Sequence, residues 1–303
     1  MSVTGGRDDG GAASTPSVQR VDDRLGLAVR RVTLGPRTLV TYARDHVTVR
    51  TPSRPDLRDG NTIDLVAPPA ADDLERWVSR FRETVGALGA PHVQLRWETS
   101  LAPDAPAQPP AEDPHLAPAV GALGMQLSAT SVLLLDALDP PDHRPPAELV
   151  PVAPPATEPA GAIDRRWYAA TVLYRYLDGE TPDDWRDRDT SFVEWSVEQQ
   201  RELAVAGRCQ VWLAMRHGAP VARLTVMHDR QGLAAVEDVV THPVHRRHGI
   251  AAALIATAAS THLEVHPGSR IGVATQPGSA AERLCRRLGF RPHATVWTAY
   301  SAG

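Results

Sequence analysis

One short pattern occurs twice in this chain and restricts the fold more than any other feature. Leu123-Gly124-Met125, followed by Ala129-Thr130, returns as Leu288-Gly289-Phe290, followed by Ala294-Thr295, 165 positions later. Around each copy the hydrophobic periodicity gives the same strand–helix–strand–helix order. A structural duplication explains both observations, so two units of one α/β plan are expected. A length of 303 residues suits two units at roughly 150 residues each.

The units can be outlined from the pattern. Residues 1–16 are small and polar and read as a disordered tail. The first clear elements come after Arg50. Asn61 to Val66 alternates as a strand and is stopped by Pro68 and Pro69. A helix is expected from Ala71 to Leu88, where Leu74, Trp77, Val78, Phe81, Val85 and Leu88 form one apolar stripe. His92 to Trp97 is a strand, followed by a Pro-studded loop from Pro103 to Pro114, a short helix at Leu116 to Leu123 and a strand at Leu127 to Leu135. The cluster Pro140, Pro141, Pro145 and Pro146 reads as a linker, which divides the chain into domains 17–138 and 147–303 with 139–146 between them.

In the second domain, Ala147 to Val152 is expected as the first strand. A helix then carries Ile163, Trp167, Ala170, Tyr174 and Leu177 on one face, and another runs from Phe192 to Val205, with Asp189 and Thr190 as candidate caps. A hairpin folds Gln210 to Met215 against Val221 to Met227 about His217-Gly218, and a strand follows at Ala234 to Thr241. The remaining order is helix Ile250 to His262, strand Ile271 to Thr275, helix Ala280 to Leu288 closed by Gly289, and strand Phe290 to Tyr300.

Composition removes several functions. The 32 basic residues are all Arg, and a chain without Lys has no Walker-type phosphate loop, no kinase ATP-pairing Lys and no pyridoxal-phosphate Schiff base. A net charge of −4 argues against sequence-independent nucleic-acid binding. The longest apolar run, Gly249 to Ala259, is about half of the ~20 residues a membrane span needs. The N-terminus lacks the pattern of a signal peptide, and Cys209 and Cys285 are far apart with no Cys-x-x-Cys pair, so neither a disulfide framework nor a structural zinc site is indicated and a reducing cytoplasm is expected. His242, His245 and His248 recur every three residues, but Pro243 and Gly249 interrupt any shared helical face, and no metal is expected.

Arg246-Arg247-His248-Gly249-Ile250-Ala251 sits between a strand and a helix. Such a junction gathers unpaired backbone N–H groups at a helix N-terminus and favours an anion, most simply a pyrophosphate.

These residues resemble the GCN5-related N-acetyltransferase (GNAT) family. The loop fits that family's Arg/Gln-x-x-Gly-x-Gly/Ala signature, Val239-Val240-Thr241-His242-Pro243 fits the strand before it, and Ala281 to Phe290 fits its A-x-x-L-Y-x-x-L-G-F segment with Cys285 in place of Tyr. The resemblance covers roughly residues 147–303, and the first half resembles a degenerate copy. Where the signature should follow Pro69 it has Ala70-Ala71-Asp72-Asp73-Leu74-Glu75, whose acids would repel a phosphate.

The resemblance implies two tandem GNAT-like domains of the α/β (α+β) class, each a mixed, mostly antiparallel sheet flanked by helices. It implies acetyl transfer from acetyl-CoA to a primary amine, by direct attack, in the second half. Pantetheine would lie along Val239, Val240 and Thr241, and the pyrophosphate on Arg246, Arg247, His248, Gly249, Ile250 and Ala251. A backbone N–H near Val240 would hold the oxyanion. Glu237 is the candidate base, with Asp238 expected on the opposite face by strand alternation. Cys285 is either the proton donor to the leaving thiolate or a small buried hydrophobe, and Gly278 stands where the family has Asn. Tyr168, Tyr174, Tyr176, Trp185 and Trp195 lie where the family roofs its acceptor site. The acceptor would be a small-molecule or peptide amine, with no nucleic acid and no membrane as partner and a homodimer left open. Two other readings compete: a non-catalytic acyl-CoA-binding sensor or regulatory module, motivated by the missing Tyr and Asn, and a structural pair of pseudo-domains.

Overall fold

The computed structural model describes residues 24–101, 115–142, 145–152, 167, 170, 172, 173 and 191–301. The expected tail, the loop from Pro103 to Pro114, Tyr168, Tyr174, Tyr176, Trp185 and the caps Asp189 and Thr190 lie outside the described residues. Of the expected helix around Trp167, only Trp167, Ala170, Val172 and Leu173 are described, all helical.

The first unit contains α1 (Leu25–Val32), β1 (Leu39–Tyr42), β2 (His46–Arg50), β3 (Thr62–Leu65), α2 (Leu74–Thr84), β4 (Gln94–Ser100), α3 (Leu116–Ala122) and β5 (Gln126–Leu135). The second contains β6 (Glu148–Val152), α4 (Ser191–Val205), β7 (Cys209–Arg216), β8 (Ala219–His228), β9 (Leu233–Thr241), α5 (Ile250–Val265), β10 (Arg270–Thr275), α6 (Ala280–Arg287) and β11 (Phe290–Tyr300). The pattern located these elements within a few residues but missed α1, β1 and β2. The reason is local. α1 is only eight residues long, and β1 and β2 are strands of four and five residues, so the alternation of His46-Val47-Thr48-Val49-Arg50 is too short to stand out. The single helix expected over 71–88 is α2 with a 3₁₀ turn at each end.

The strands form one sheet of 11, ordered β1-β2-β3-β4-β11-β5-β10-β9-β8-β7-β6. Only β3–β4 and β9–β10 are parallel, and every other pair is antiparallel. Mixed α/β architecture with a mostly antiparallel sheet therefore holds, but the two units share the sheet instead of each owning one. They exchange last strands. β11 pairs with β4 of the first unit, and β5 pairs with β10 of the second. β5 and β11 also pair with each other, from Phe290–Leu135 to Tyr300–Gln126, with a bulge between Pro292 and Ala294. The exchange leaves neither of these long strands with an open edge.

Helices cover both faces. α5 and α6 bury one core against β8 to β10, with Leu254, Ile271 and Phe290 among its residues. On the other face α1 packs across β4, β9, β10 and β11, placing a helix of the first unit on strands of the second. Its approach depends on the bare backbone of Gly272 in β10, where a Cβ would stand 2.5 Å from a Val29 methyl. Two polar contacts fix it, and a third holds the acceptor of one of them. Glu98 of β4 accepts the N–H of Leu27 at 2.8 Å, and the buried Asp64 accepts from Arg31 at 2.9 Å and from Arg96 at 2.7 Å. A separate core lies under α2 and α3, around Phe81, Leu95, Trp97 and Trp297.

The crossing point of the exchanged strands gives a direct test. Gly289 has φ 94° and its backbone lies against the Ala137 carbonyl, 1.7 Å from where a Cβ would be. Gly289→Ala combines left-handed strain with displacement of main chain and should cost about 3 kcal/mol or more. A fall in melting temperature of at least about 5 °C is expected by calorimetry, and an unchanged transition would refute this close contact between the units.

Candidate active site

The site is organised by a defect in β9. Its register with β8 shifts between Arg223–Val240 and Thr225–Glu237, so β9 carries one extra residue there. Asp238 absorbs it in a left-handed conformation, φ 52°. The parallel pairing of β9 with β10 ends at Val236–Val273, although β10 runs on to Thr275 against β5. Beyond Val236 the two strands part, and the outer edge of β9 from Glu237 to Thr241 has no strand beside it.

The bulge corrects the alternation expected from sequence. Ala235 and Val240 both belong to the core beneath α1 and α4, whereas Val236 and Val239 face the core beneath α5. One extra residue has flipped the parity. Asp238 therefore stays on the face of Glu237 instead of opposing it, and both carboxyls line a cavity under α1 and α4. The ladder also narrows which amide near Val240 is open. His242 N–H bonds the Val221 carbonyl at 2.9 Å. Antiparallel bonding alternates, so Val240, two residues earlier and opposite Arg223, turns toward β8 as well. Val239 and Thr241 are the residues whose N–H groups face the gap left by β10.

At the end of β9 the chain enters a 3₁₀ turn at Pro243–His245 and then the expected loop. Arg247 (φ 68°) and Gly249 (φ 74°) are both left-handed, and Gly249 is the N-cap of α5 without a side-chain cap. Among the described residues, the N–H groups of Arg247 through Ala252 have no backbone acceptor, and the first helical bond runs from Ala253 to Gly249. Arg246, Arg247, His248 and Gly249 are exposed, while Ile250 is buried and anchors the helix. A Cβ on Gly249 would meet nothing, so its left-handed φ, not crowding by the protein, is what calls for glycine. Arg246 Nε donates to the Thr241 carbonyl at 3.0 Å and ties the loop to the strand. Open N–H groups at a 16-residue helix N-terminus, beside two exposed guanidiniums, fit a phosphate. The counterpart in the first unit differs, with Asp72 and Asp73 on a 3₁₀ turn and Asp73 paired to Arg76 at 3.1 Å.

The two acids differ in their partners. Asp238 accepts from Gln200 at 2.6 Å and from Thr225 at 3.2 Å, with Arg223 at 3.5 Å. Burial raises its pKa against the pull of Arg223. Glu237 Oε1 is fully enclosed with no hydrogen-bond partner among the described residues. Burial pushes Glu237 up to about 7, Arg30 of α1 draws it down, and Asp238 and Asp59 add to the rise. Such a carboxyl exchanges a proton near neutral pH.

Cys285 lies elsewhere. It is 3% exposed in the core beneath α5 and α6, and burial pushes its thiol up to about 12. A thiol holding its proton so firmly is poorly matched to donate to a thiolate of ordinary pKa near 8.5, so the packing role is the one the structure displays. Gly278 donates its N–H to Glu282 at 2.6 Å, and Ser279 caps the N–H of Glu282 at 3.1 Å, closing the start of α6 on itself. Among the described residues no group of three His, Cys, Asp or Glu is arranged to hold a metal ion, and no helix is long and apolar enough to cross a membrane. Arg30 and Asp59, which reach this site from the first unit, escaped the sequence reading because no local motif marks them.

Residues 172–290 match the acetyltransferase (GNAT) family. The second unit carries a GNAT domain. No curated protein matches the chain. Among solved structures, a conserved protein of unknown function from Staphylococcus epidermidis is similar over 88% of this chain and 94% of its own, at 10% identity and TM-score 0.63. A GCN5-related N-acetyltransferase from Kribbella flavida is similar over 96% and 97%, at 19% identity and TM-score 0.58. A tandem GNAT protein from the clavulanic acid biosynthesis pathway is similar over 93% and 96%, at 16% identity and TM-score 0.51. At these identities the likeness is one of fold, and it extends over both units, so the GNAT domain and the half that precedes it share a tandem architecture.

Glu237 provides a stability test with a definite sign. Its folded value, about 7, lies above the ordinary 4.5. Its contribution to stability is therefore full below about 4.5 and is lost as pH rises through about 7. Glu237→Gln should raise the melting temperature by a few degrees at pH 8 and by less at pH 5. Lower stability of the variant at pH 8 would refute an unpartnered buried carboxylate.

Proposed function

We propose that the GNAT domain transfers the acetyl group of acetyl-CoA to a primary amine by direct attack, without a covalent enzyme intermediate. The observation that carries this reading is the bulge in β9. It opens the strand edge toward β10, frees the Val239 and Thr241 amides and holds the unpartnered Glu237 carboxyl beside the opening. The extended pantetheine arm of the substrate suits the edge of Val239, Val240 and Thr241, with Val239 and Thr241 supplying the bonds. The pyrophosphate suits the N–H groups from Arg247 to Ala252, with Arg246 holding the loop in place.

An ammonium cannot attack, so the amine must first lose a proton. In this reading Glu237 accepts it, directly or through a water. The Val239 N–H, next to the bulge, is preorganised to stabilise the oxyanion that forms as the amine adds to the thioester carbonyl. The thiolate of CoA then leaves. The attacking nitrogen sheds its second proton to solvent as the C–S bond breaks, and the thiolate takes up its proton from solvent, because Cys285 is packed in the core. That burial also favours a second reading, a non-catalytic acyl-CoA-binding module. Release of CoA thiol across an amine panel separates the two.

Two measurements test the assignment. Gly249→Glu sets a carboxylate where the pyrophosphate would rest, and calorimetric affinity for acetyl-CoA should fall by at least about tenfold, about 1.4 kcal/mol, with the fold intact. Asp73→Ala, at the corresponding helix of the first unit, should leave that affinity unchanged; equal effects would overturn the location of the cradle. In turnover, Glu237 acts when deprotonated, so kcat/KM should rise with pH through a midpoint of about 7. Glu237→Gln should lose that limb and recover at higher pH as free amine accumulates. A pH profile unaltered by the substitution removes Glu237 from the mechanism.

A further inference from the structure

The face of β9 that carries Glu237 opens into a cavity of about 180 Å³ between the two units. Arg30, Thr33 and Asp59 line it from the first unit, and Trp195, Gln199 and Glu237 from the second. Three of these residues carry an enclosed polar atom with no hydrogen-bond partner among the described residues: Trp195 Nε1, Gln199 Oε1 and Glu237 Oε1. Protein interiors satisfy nearly all such atoms. Three orphans around one cavity mark positions where a bound molecule would complete the bonding. They are one donor, the indole N–H, and two acceptors.

The charges narrow the chemistry further. Arg30 donates to Asp59 at 2.5 Å, and Arg96 lies 3.5 Å from the same carboxyl. Burial works to raise Asp59, but these guanidiniums outweigh it and hold the carboxyl down at about 2. Asp238 is taken up by Gln200, Thr225 and Arg223. Glu237 and the Gln199 carbonyl are left, a place for a cationic donor. The Trp195 N–H calls for a neutral acceptor oxygen on the same molecule. A carboxylate would meet Glu237 and Asp238, with Arg30 already engaged. The volume is below the roughly 300–1,000 Å³ of ordinary ligand pockets.

We infer that this cavity between the units binds the acceptor, and that the acceptor is a small amine bearing a hydroxyl or ether oxygen, not a peptide and not an amino acid. The inference rests on the acetyl-transfer reading for its role, while the pocket itself stands on the three unpartnered atoms. The first unit then supplies part of the specificity of the second.

Amine binding to the full chain without acetyl-CoA tests this, by calorimetry or saturation-transfer NMR. The probes are 2-aminoethanol and glucosamine, against ethylamine, glycine and a glycine tripeptide. At least one hydroxylated amine should bind about fivefold or more tighter than every control, the worth of one hydrogen bond. Trp195→Phe removes the N–H and keeps a ring; it should erase that advantage while ethylamine binding stays as it was. Equal binding of all probes, preference for glycine or the tripeptide, or an advantage that survives Trp195→Phe would each overturn the inference. Acetyl-CoA binding is measured in parallel on the unaltered protein. Amine discrimination without donor binding would refute the acetyl-transfer reading and leave the pocket standing, whereas donor binding without discrimination would refute the pocket alone.

Discussion

The pairing of β5 with β11 is the interaction on which the rest of the molecule depends. Each is the last strand of its own unit, and each completes the sheet of the other. A β-ladder leaves its edge groups unsatisfied unless another strand covers them, so removing either strand would open edges in both halves at once. The duplication is therefore more than two linked copies. Its units are joined through main-chain hydrogen bonds at the centre of an 11-stranded sheet, where a sliding or hinged interface would break the ladder.

This junction places α1 where it matters. With β4 and β11 adjacent to β5 and β10, a helix packed on the sheet of the first unit also covers β9 and β10 of the second. Arg30 comes with it and lines the cavity together with Glu237 and Asp59, and Asp59 accepts a hydrogen bond from Arg30. The first unit has an acidic helix start where the second has open N–H groups, yet it helps to line the cavity beside Glu237.

The bulge at Asp238 does the equivalent work inside the second unit. One added residue separates β9 from β10, turns two amides toward the gap and brings Glu237 and Asp238 to the same face. It costs a left-handed non-glycine residue, a conformation that persists only where surrounding contacts over-determine it. Here Gln200, Thr225 and Arg223 hold the Asp238 side chain.

Much of this was legible in the sequence. Periodicity located most strands and helices because one face of each is apolar, and the Arg246–Ala251 loop announced a helix N-terminus because its residue types act locally. The repeat at 165 positions disclosed two units of one plan. What the sequence could not disclose were relations between distant segments. Alternation assigned Asp238 to the wrong face because a bulge leaves no mark in residue type. Cys285 could be read as a proton donor or as a packed hydrophobe until its burial was seen. α1 carries no motif, and its importance comes from the strand exchange that sets it over β9. Local physics, the side-chain period and the conformational preference of glycine, is written in neighbouring residues. Which strand pairs with which, and therefore which carboxyl meets which guanidinium, was decided only when the chain closed its sheet.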